Sequence, residues 1–160
     1  MPAASPRQAK QSRREAKSDA FRLDNHVFYL FGQIFGHRNV ALNRELRRFD
    51  LDYSRWRVLA ALNEHPRCSM NHLANLTAVD RTTLAYTVRK MVEEKLVRRQ
   101  ARSSDRRSVE LMLTQRGHAL LQDILPTVMD LNDRCLAGFR EQELKIFLGQ
   151  LRRMIDNIKE

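Results

Sequence analysis

The sequence predicts a mainly α-helical protein with one small β-hairpin. Several stretches after residue 20 place apolar side chains three and four positions apart, which is the spacing of one helix face. The stretch "SVELMLT" (108–114) differs, because its apolar and polar residues alternate as they do in a strand. A length of 160 residues with only 5 Gly and 4 Pro allows one helix-rich domain with a buried core plus flanking helices.

The positive charge of the chain is large and local. Lys and Arg number 29 against 19 Asp and Glu, a net charge of +10. Residues 80–107 hold nine basic and four acidic side chains, whereas residues 115–160 hold seven of each. Such a surplus favours an anionic partner for the middle of the chain.

The first twenty residues form a basic segment that differs from the rest. The stretch "MPAASPRQAKQSRREAKSDA" has no large apolar side chain beyond Met1, so burial cannot offset the entropy of ordering it. We therefore predict a disordered basic arm over 1–20. Contact with DNA phosphates and a role as a solubilising tail or cloning remnant both remain open.

Residues 21–50 are expected to form two helices. In the first, one face collects the apolar residues Leu23, Val27, Leu30, Phe31 and Ile34, widened by Phe28 and Phe35. The second is predicted over Asn39 to Phe49. A third helix follows in "YSRWRVLAALNEH", with Asp52 as N-cap, Leu59 and Leu62 on its inner face, and Pro66 as its stop.

A helix-turn-helix outline comes next. Ser69 is a good N-cap for a short helix through Leu76, "TAV" is a tight connection, and Asp80 can cap a longer helix from Arg81 to about Glu94. The longer helix has a buried side, formed by Leu84, Val88, Met91 and Val92. Its other side presents Arg81, Thr82, Tyr86, Arg89 and Glu93.

That polar side would be expected of any amphipathic helix, since each needs a solvated face. Its position favours DNA, however. Arg81, Thr82 and Thr83 stand at the helix N-terminus, where free N–H groups and partial positive charge attract phosphate. A polar helix of this diameter fits the major groove, where such side chains can read base edges.

Two strands are predicted after this helix. "LVRRQAR" and "SVELMLT" flank the polar loop "SSDRR", so the unit reads helix, turn, helix, hairpin, with a wing tip at Ser103 to Arg107. An arginine at such a tip can enter the minor groove, where narrow grooves concentrate negative potential.

Three stretches, "LDYSRWRVLAAL", "DRTTLAYTVRKMVEEKLVRR" and "SSDRRSVELMLTQRGHALL", together resemble the multiple-antibiotic-resistance regulator (MarR) family of transcription regulators. The resemblance covers about residues 23–158. Its most specific part is the wing, which matches the family pattern at Asp105, Arg106, Arg107, Ser108, Val109, Leu111, Leu113, Thr114 and Gly117.

The resemblance implies a homodimer with a palindromic operator as its partner. It assigns N-terminal helices at 21–50 to dimerisation and a pocket wall, a winged helix-turn-helix DNA-binding domain to 51–116, and C-terminal dimerisation helices to 117–160. The sequence also supports dimerisation directly, because "REQELKIFLGQLRRMIDNIKE" carries a heptad-like stripe. That stripe consists of Leu144, Phe147, Leu148, Leu151, Met154, Ile155 and Ile158. Packing against the subunit's own core is the alternative.

The resemblance also implies which residues contact DNA. Arg107 is expected in the minor groove with Asp105 bracing it, and Arg106 beside it as a phosphate or bracing partner. Contacts from the recognition helix fall on Arg81, Thr82, Thr83, Tyr86, Arg89 and Lys90. Phosphate contacts fall on Ser69, Asn71, His72, Ser103 and Ser104.

The chain departs from the family pattern at Lys95, where glycine is usual. Glycine there suits a left-handed helix C-cap. Lys95 must either accept a positive φ at a cost of about 1 kcal/mol or end the helix differently.

Many members of the family are released from DNA by small molecules, so the resemblance implies an effector. Candidate pocket residues are Phe28, Phe31, Phe35, His37, Arg38, Tyr53, Trp56 and Arg57. Aromatic walls beside cations suit an aromatic carboxylate or its coenzyme A thioester, as in a regulator of aromatic catabolism, with Arg44, Arg47 and Arg48 available for phosphates. Aromatic residues at helical spacing also commonly form core.

Other classes of protein find less support. The sequence holds no glycine-rich phosphate loop, no G-x-S-x-G and no H-E-x-x-H, so we predict no enzyme and no cofactor. Cys68 and Cys135 are interpreted as structural thiols, and the five histidines lack metal-ligand spacing. No membrane span or signal peptide is evident, which predicts a cytoplasmic protein. The alternative to a ligand-responsive repressor is an architectural DNA-binding protein that lacks operator preference and an inducer.

Overall fold

The computed structural model describes residues 22–102 and 105–159, and describes only the backbone of residues 102 and 105–108. The predicted basic arm over 1–20 and the wing-tip serines Ser103 and Ser104 lie outside the described residues. The described residues fall into two compact units, one within residues 1–44 and the other within residues 45–160.

The described part is mainly helical with one small antiparallel sheet, as the sequence predicted. Short 3-10 turns lie at Leu23–Asn25 and Arg47–Phe49. The helices are α1 (Val27–Leu46), α2 (Tyr53–Glu64), α3 (Met70–Thr77), α4 (Arg81–Glu93), α5 (Gln115–Cys135) and α6 (Glu141–Ile158). The strands are β1 (Cys68–Ser69), β2 (Val97–Arg102) and β3 (Asp105–Leu113). Among the described residues, no helix is both long and apolar enough to cross a membrane.

The prediction of two helices in residues 21–50 was wrong, because α1 is a single helix of 20 residues. Asn39, the expected start of the second helix, lies in its interior. Gly36 is the weakest helix former next to the expected break, and a glycine inside a helix costs only about 1 kcal/mol. Continuing the helix keeps every backbone hydrogen bond through that segment, which outweighs this cost.

The three predicted helix N-caps are confirmed. Each capping side chain accepts a hydrogen bond from the backbone N–H three residues later, which satisfies one of the free donors at the helix start. The N···O distances are 2.8 Å for Asp52 with Arg55, 3.2 Å for Ser69 with His72, and 2.9 Å for Asp80 with Thr83.

The core of the second unit contains most of the predicted inner faces of α2 and α4, but Val92, predicted on the buried side of α4, is only half-buried and Thr87 is buried instead. Leu59 and Leu62 on α2 are fully buried, as are Leu84, Val88 and Met91 on α4. Full burial of such a side chain contributes about 1.5–3 kcal/mol. Packing through these residues sets which side of α4 remains exposed.

The sheet has three strands in the order β1-β3-β2, one more than the predicted hairpin. Cys68 and Ser69 pair with Leu111 and Glu110 of β3. Two residues are too few to show strand periodicity, so β1 is visible only through its partner. The side chain of Cys68 is buried, and this burial raises the pKa of its thiol, which suits a structural role.

The wing loop is shorter than predicted. β3 begins at Asp105 instead of Ser108, because Arg102 pairs with Asp105 across an irregularity between Ala101 and Arg102. Backbone pairing therefore resumes at Asp105, and residues 106–108 lie in the irregularity between the two paired positions. A local irregularity of this kind increases strand twist and re-aims the tip of a hairpin.

Lys95 does adopt a positive φ, of 60°. The Lys95 N–H donates to the Val92 carbonyl at 3.0 Å and the Leu96 N–H to the Met91 carbonyl at 2.8 Å, the two bonds of a Schellman C-cap. Thr114 Oγ1 also donates to the Lys95 carbonyl oxygen, at 2.6 Å. The chain therefore keeps the glycine-type cap with a lysine in it, at a cost of about 1 kcal/mol.

Gly117 completes this junction between α4, the sheet and α5. A Cβ atom at position 117 would lie 2.2 Å from the Leu96 carbonyl oxygen, so no larger residue fits without moving backbone. The Gly117 N–H also donates to Thr114 Oγ1 at 3.0 Å. The base of the wing is thus fixed to the start of α5.

Candidate nucleic-acid interface

The exposed face of α4 carries the side chains that the sequence assigned to DNA. Leu84, Thr87, Val88 and Met91 are buried on the opposite side of the helix. The exposed residues of this helix include Arg81, Thr82, Thr83, Tyr86, Arg89 and Lys90. From Arg81 to Lys90 the face is therefore cationic and hydroxyl-rich, a chemistry suited to phosphates and base edges, and it ends at the exposed acid Glu93.

Tyr86 lies between two cations of the same helix. The Arg89 Cζ atom lies 5.4 Å from the centroid of the Tyr86 ring, and the Lys90 Nζ atom lies 5.0 Å from it. Cation–π contacts at exposed sites contribute about 0.5–1 kcal/mol each. The i+3 and i+4 spacings could have predicted this cluster, which holds three candidate contact residues together.

The N-termini of α3 and α4 are joined by a hydrogen bond between side chains. A terminal N–H of the Arg81 guanidinium donates to Oδ1 of Asn71, the second residue of α3. Both side chains are exposed. A predicted base contact and a predicted phosphate contact therefore form one pair, which no sequence signal indicated because the residues lie ten positions apart.

Two histidines meet near the start of α3. The rings of His65 and His72 lie edge to face with centroids 5.5 Å apart. His72 was a predicted phosphate contact, whereas His65 was absent from the predicted site. Within residues 22–102 and 105–159, no group of three His, Cys, Asp or Glu side chains could hold a metal ion.

Asp80 is the acidic residue at the start of the exposed face. The Thr83 hydroxyl and the Thr83 backbone N–H donate hydrogen bonds to its carboxylate, and they hold the pKa of Asp80 below its usual range. A carboxylate at a helix N-terminus also interacts favourably with the helix dipole. Asp80 thus caps α4 in its ionised form.

The wing is described in part. Ser103 and Ser104 lie outside the described residues, and Asp105, Arg106 and Arg107 are described only as backbone of β3. Two cations that the predicted site omitted, Arg98 and Arg99, are exposed on β2. Arg98 donates to Gln100 Oε1 at 3.2 Å. The described part of the wing therefore carries positive charge along β2.

The residues predicted to bind an effector fall in both units. In the first unit the rings of Phe28 and Phe31 pack edge to face, 6.3 Å apart, and the unit also carries Phe35, His37 and Arg38. In the second unit, which also carries Trp56, the Arg57 guanidinium donates to Tyr53 Oη at 2.9 Å and to the Leu76 carbonyl at 3.2 Å. Two of the predicted residue pairs are thus in contact, Phe28 with Phe31 and Tyr53 with Arg57. A single site that contains both pairs stays a prediction.

Known proteins match both the sequence and the arrangement of helices and wing. The MarR family model matches residues 49–108, from the turn before α2 into β3. The repressor IacR of Pseudomonas putida, an HTH-type transcriptional repressor, is 28% identical over 154 residues, which cover 96% of this chain and 90% of IacR.

Solved structures share the fold. A MarR-family transcriptional regulator from Silicibacter pomeroyi superposes with a TM-score of 0.80 at 28% identity, covering 86% of this chain and 93% of that one. BpsR of Bordetella bronchiseptica is a protein whose DNA binding is regulated by 6-hydroxynicotinic acid. It superposes with a TM-score of 0.76 at 23% identity, covering 85% of this chain and 97% of BpsR.

The fold and its exposed helix define a winged helix-turn-helix protein. In sequence and in fold, the chain is similar to the MarR family of transcription regulators.

Proposed function

We propose that this protein is a transcriptional repressor that binds a palindromic operator as a homodimer and is released from it by a small molecule. The observation that carries the proposal is the cationic exposed face of α4, held outward by a buried and mainly apolar inner face. The relationship to IacR, a repressor aligned along nearly the whole chain, supports repression over activation.

The apolar surface of α6 supports the homodimer. None of its residues is buried within the chain. Five large apolar side chains are exposed on it, Ile146, Phe147, Leu148, Ile155 and Ile158. An exposed apolar stripe of this kind marks a protein–protein contact, and a second copy of the same helix is self-complementary to it.

In the proposed complex α4 enters the major groove, with Arg81, Thr82, Thr83, Tyr86, Arg89 and Lys90 toward the bases. Phosphate contacts come from Ser69, Asn71, His72, Ser103 and Ser104. Arg107 enters the minor groove, braced by Asp105, with Arg106 as a phosphate or bracing partner. A two-fold axis then requires half-sites one helical turn apart, about 10 base pairs.

The proposed effector is an aromatic carboxylate or its coenzyme A thioester. The cation of Arg57 beside the phenol of Tyr53 suits a carboxylate, and Phe28 against Phe31 suits a ring. The proposed lining of the effector site also includes Phe35, His37, Arg38 and Trp56. The response of BpsR to an aromatic acid supports this class of ligand. A ligand that prefers the dimer shape with displaced recognition helices weakens DNA binding by its differential affinity.

Selection from random-sequence DNA followed by competition binding tests the DNA function. We expect a palindromic sequence to be enriched and bound at least about 1,000-fold more tightly than random DNA at physiological salt. Equal binding to both would favour the architectural alternative. Arg107→Ala should weaken operator binding by about 1–3 kcal/mol, the value of one specific groove contact.

A panel of aromatic acids, including 6-hydroxynicotinic acid and phenolic acids with their coenzyme A thioesters, tests the effector. Release of the selected operator by one member at fixed salt identifies the ligand class. The matched variant Arg57→Met should reduce the response to an acid without changing operator affinity in its absence. If no member of the panel releases the operator, the effector part of the proposal fails.

A further inference from the structure

The bond between Arg81 and Asn71 has a consequence for sequence recognition. Arg81 is the first residue of α4, so its guanidinium stands at the end of the helix that enters the groove in the proposed complex. An arginine side chain has about 2 kcal/mol of rotamer entropy to lose when it binds one base. A partner that holds it in place before binding removes part of that cost.

Asn71 has the chemistry for such a partner. Its carboxamide oxygen accepts one of the five N–H donors of Arg81, which leaves four, and a bidentate contact with guanine O6 and N7 needs two. Because the carboxamide is neutral, Arg81 keeps its full charge, which a carboxylate partner would offset. Asp80, the nearest acid in sequence, is occupied at the N-cap of α4 by Thr83.

The placement of Asn71 on α3 makes the contact depend on the helix-turn-helix geometry. Ser69 caps α3 through the His72 N–H, so the start of α3 is fixed where Asn71 projects. The pair therefore joins two helices whose relative position must be correct for recognition.

We propose that Asn71 is a positioning residue that holds the Arg81 guanidinium for bidentate recognition of a guanine in each operator half-site. This rests on the proposed DNA function and sharpens it, since a phosphate contact by Asn71 carries no base preference.

The test uses the full-length protein and the operator that it selects from random-sequence DNA. Each base of one half-site is changed in turn, and affinities are measured for wild type, Asn71→Ala, Arg81→Ala and the double variant. We expect Arg81→Ala to abolish preference for guanine at one position. Asn71→Ala should reduce that same preference about three- to tenfold. The double variant should show the same affinities as Arg81→Ala alone.

Two additional variants separate positioning from charge and from folding. Asn71→Asp keeps an acceptor for Arg81, so the guanine preference should persist while overall affinity falls through the added negative charge. Asn75→Ala, one turn farther along α3 and also exposed, should leave the preference at its wild-type value. Thermal unfolding of each variant checks that the fold is retained.

Three results would overturn the inference. Asn71→Ala could weaken all sequences equally in both Arg81 backgrounds, which is the behaviour of a phosphate contact. It could leave every affinity unchanged, which would show that the bond has no role in binding. Finally, wild type could enrich no sequence at all; in that case the proposed DNA function itself fails and the positioning role fails with it.

Discussion

Helices α4 and α6 are both amphipathic, but only α4 buries its apolar face within the chain. α4 buries Leu84, Val88 and Met91 within its own chain and presents cations and hydroxyls. α6 buries nothing within the chain, and leaves side chains such as Leu148 and Ile155 about half exposed. The two helices therefore differ in what their free surface can bind.

This difference indicates which partner each helix needs. A polar face stable in water can bind DNA and release it, because its groups are satisfied by solvent in the free state. An apolar face is stabilised only when covered, which favours a permanent partner. The proposed reversible binding through α4 and the proposed stable association through α6 would thus both follow from which residues the core has already buried.

The largest expected effect is at α6. Leu148→Glu would place a charge in the proposed dimer contact, so we expect monomers in sedimentation experiments and a loss of operator affinity of at least about 100-fold, since bivalent binding is lost. Gln150→Glu adds the same charge on the same helix and should remain dimeric. A stable dimer of the Leu148 variant would contradict the assignment of this face.

At α4 the expected effect is smaller and concerns base preference. Tyr86→Ala removes the ring between Arg89 and Lys90 as well as a proposed base contact, so preference at one or two positions should change by about 1–3 kcal/mol. Tyr86→Phe keeps the ring and isolates the hydroxyl. Binding measured across single-base operator variants distinguishes this outcome from a uniform loss, which would make Tyr86 a backbone contact only.

Lys95→Gly should stabilise the protein while leaving base preference unchanged. Glycine adopts the observed φ of 60° without the steric cost paid by lysine, so the free energy of unfolding should rise by about 1 kcal/mol. Urea unfolding measures this change, and a glycine in the exposed interior of a helix, Lys90→Gly, is the control that should destabilise. A decrease for Lys95→Gly would mean that the lysine side chain stabilises the cap.

The smallest effect is the acid sensitivity of the α4 cap. Because the pKa of Asp80 is lowered in the folded protein, its contribution is present above the ordinary value of 3.8 and is lost as pH falls through the folded value. Asp80→Asn keeps a capping oxygen without the charge. The free energy of unfolding of this variant should therefore change less between pH 5 and about pH 3 than that of wild type. The exposure of Asp80 limits the size of this difference. Identical pH profiles in urea unfolding would show that the charge contributes nothing.

The amino-acid sequence by itself determined the features that depend on near neighbours. The caps Asp52, Ser69 and Asp80 act on N–H groups three residues away, so their roles follow from local spacing. The inner face of α4 is likewise a property of helical periodicity, and the alternation of residues 108–113 indicated a strand.

Only the tertiary structure decided the features that join distant segments or choose between local alternatives. β1 exists because Leu111 pairs with Cys68, and Arg81 meets Asn71 because the α3–α4 turn brings two helix N-termini together. The sequence left two endings open at Lys95, and the bonds around Leu96 and Thr114 selected the strained one. Local sequence patterns do not predict such contacts, because the energy that selects them comes from packing and hydrogen bonding between residues far apart in the chain.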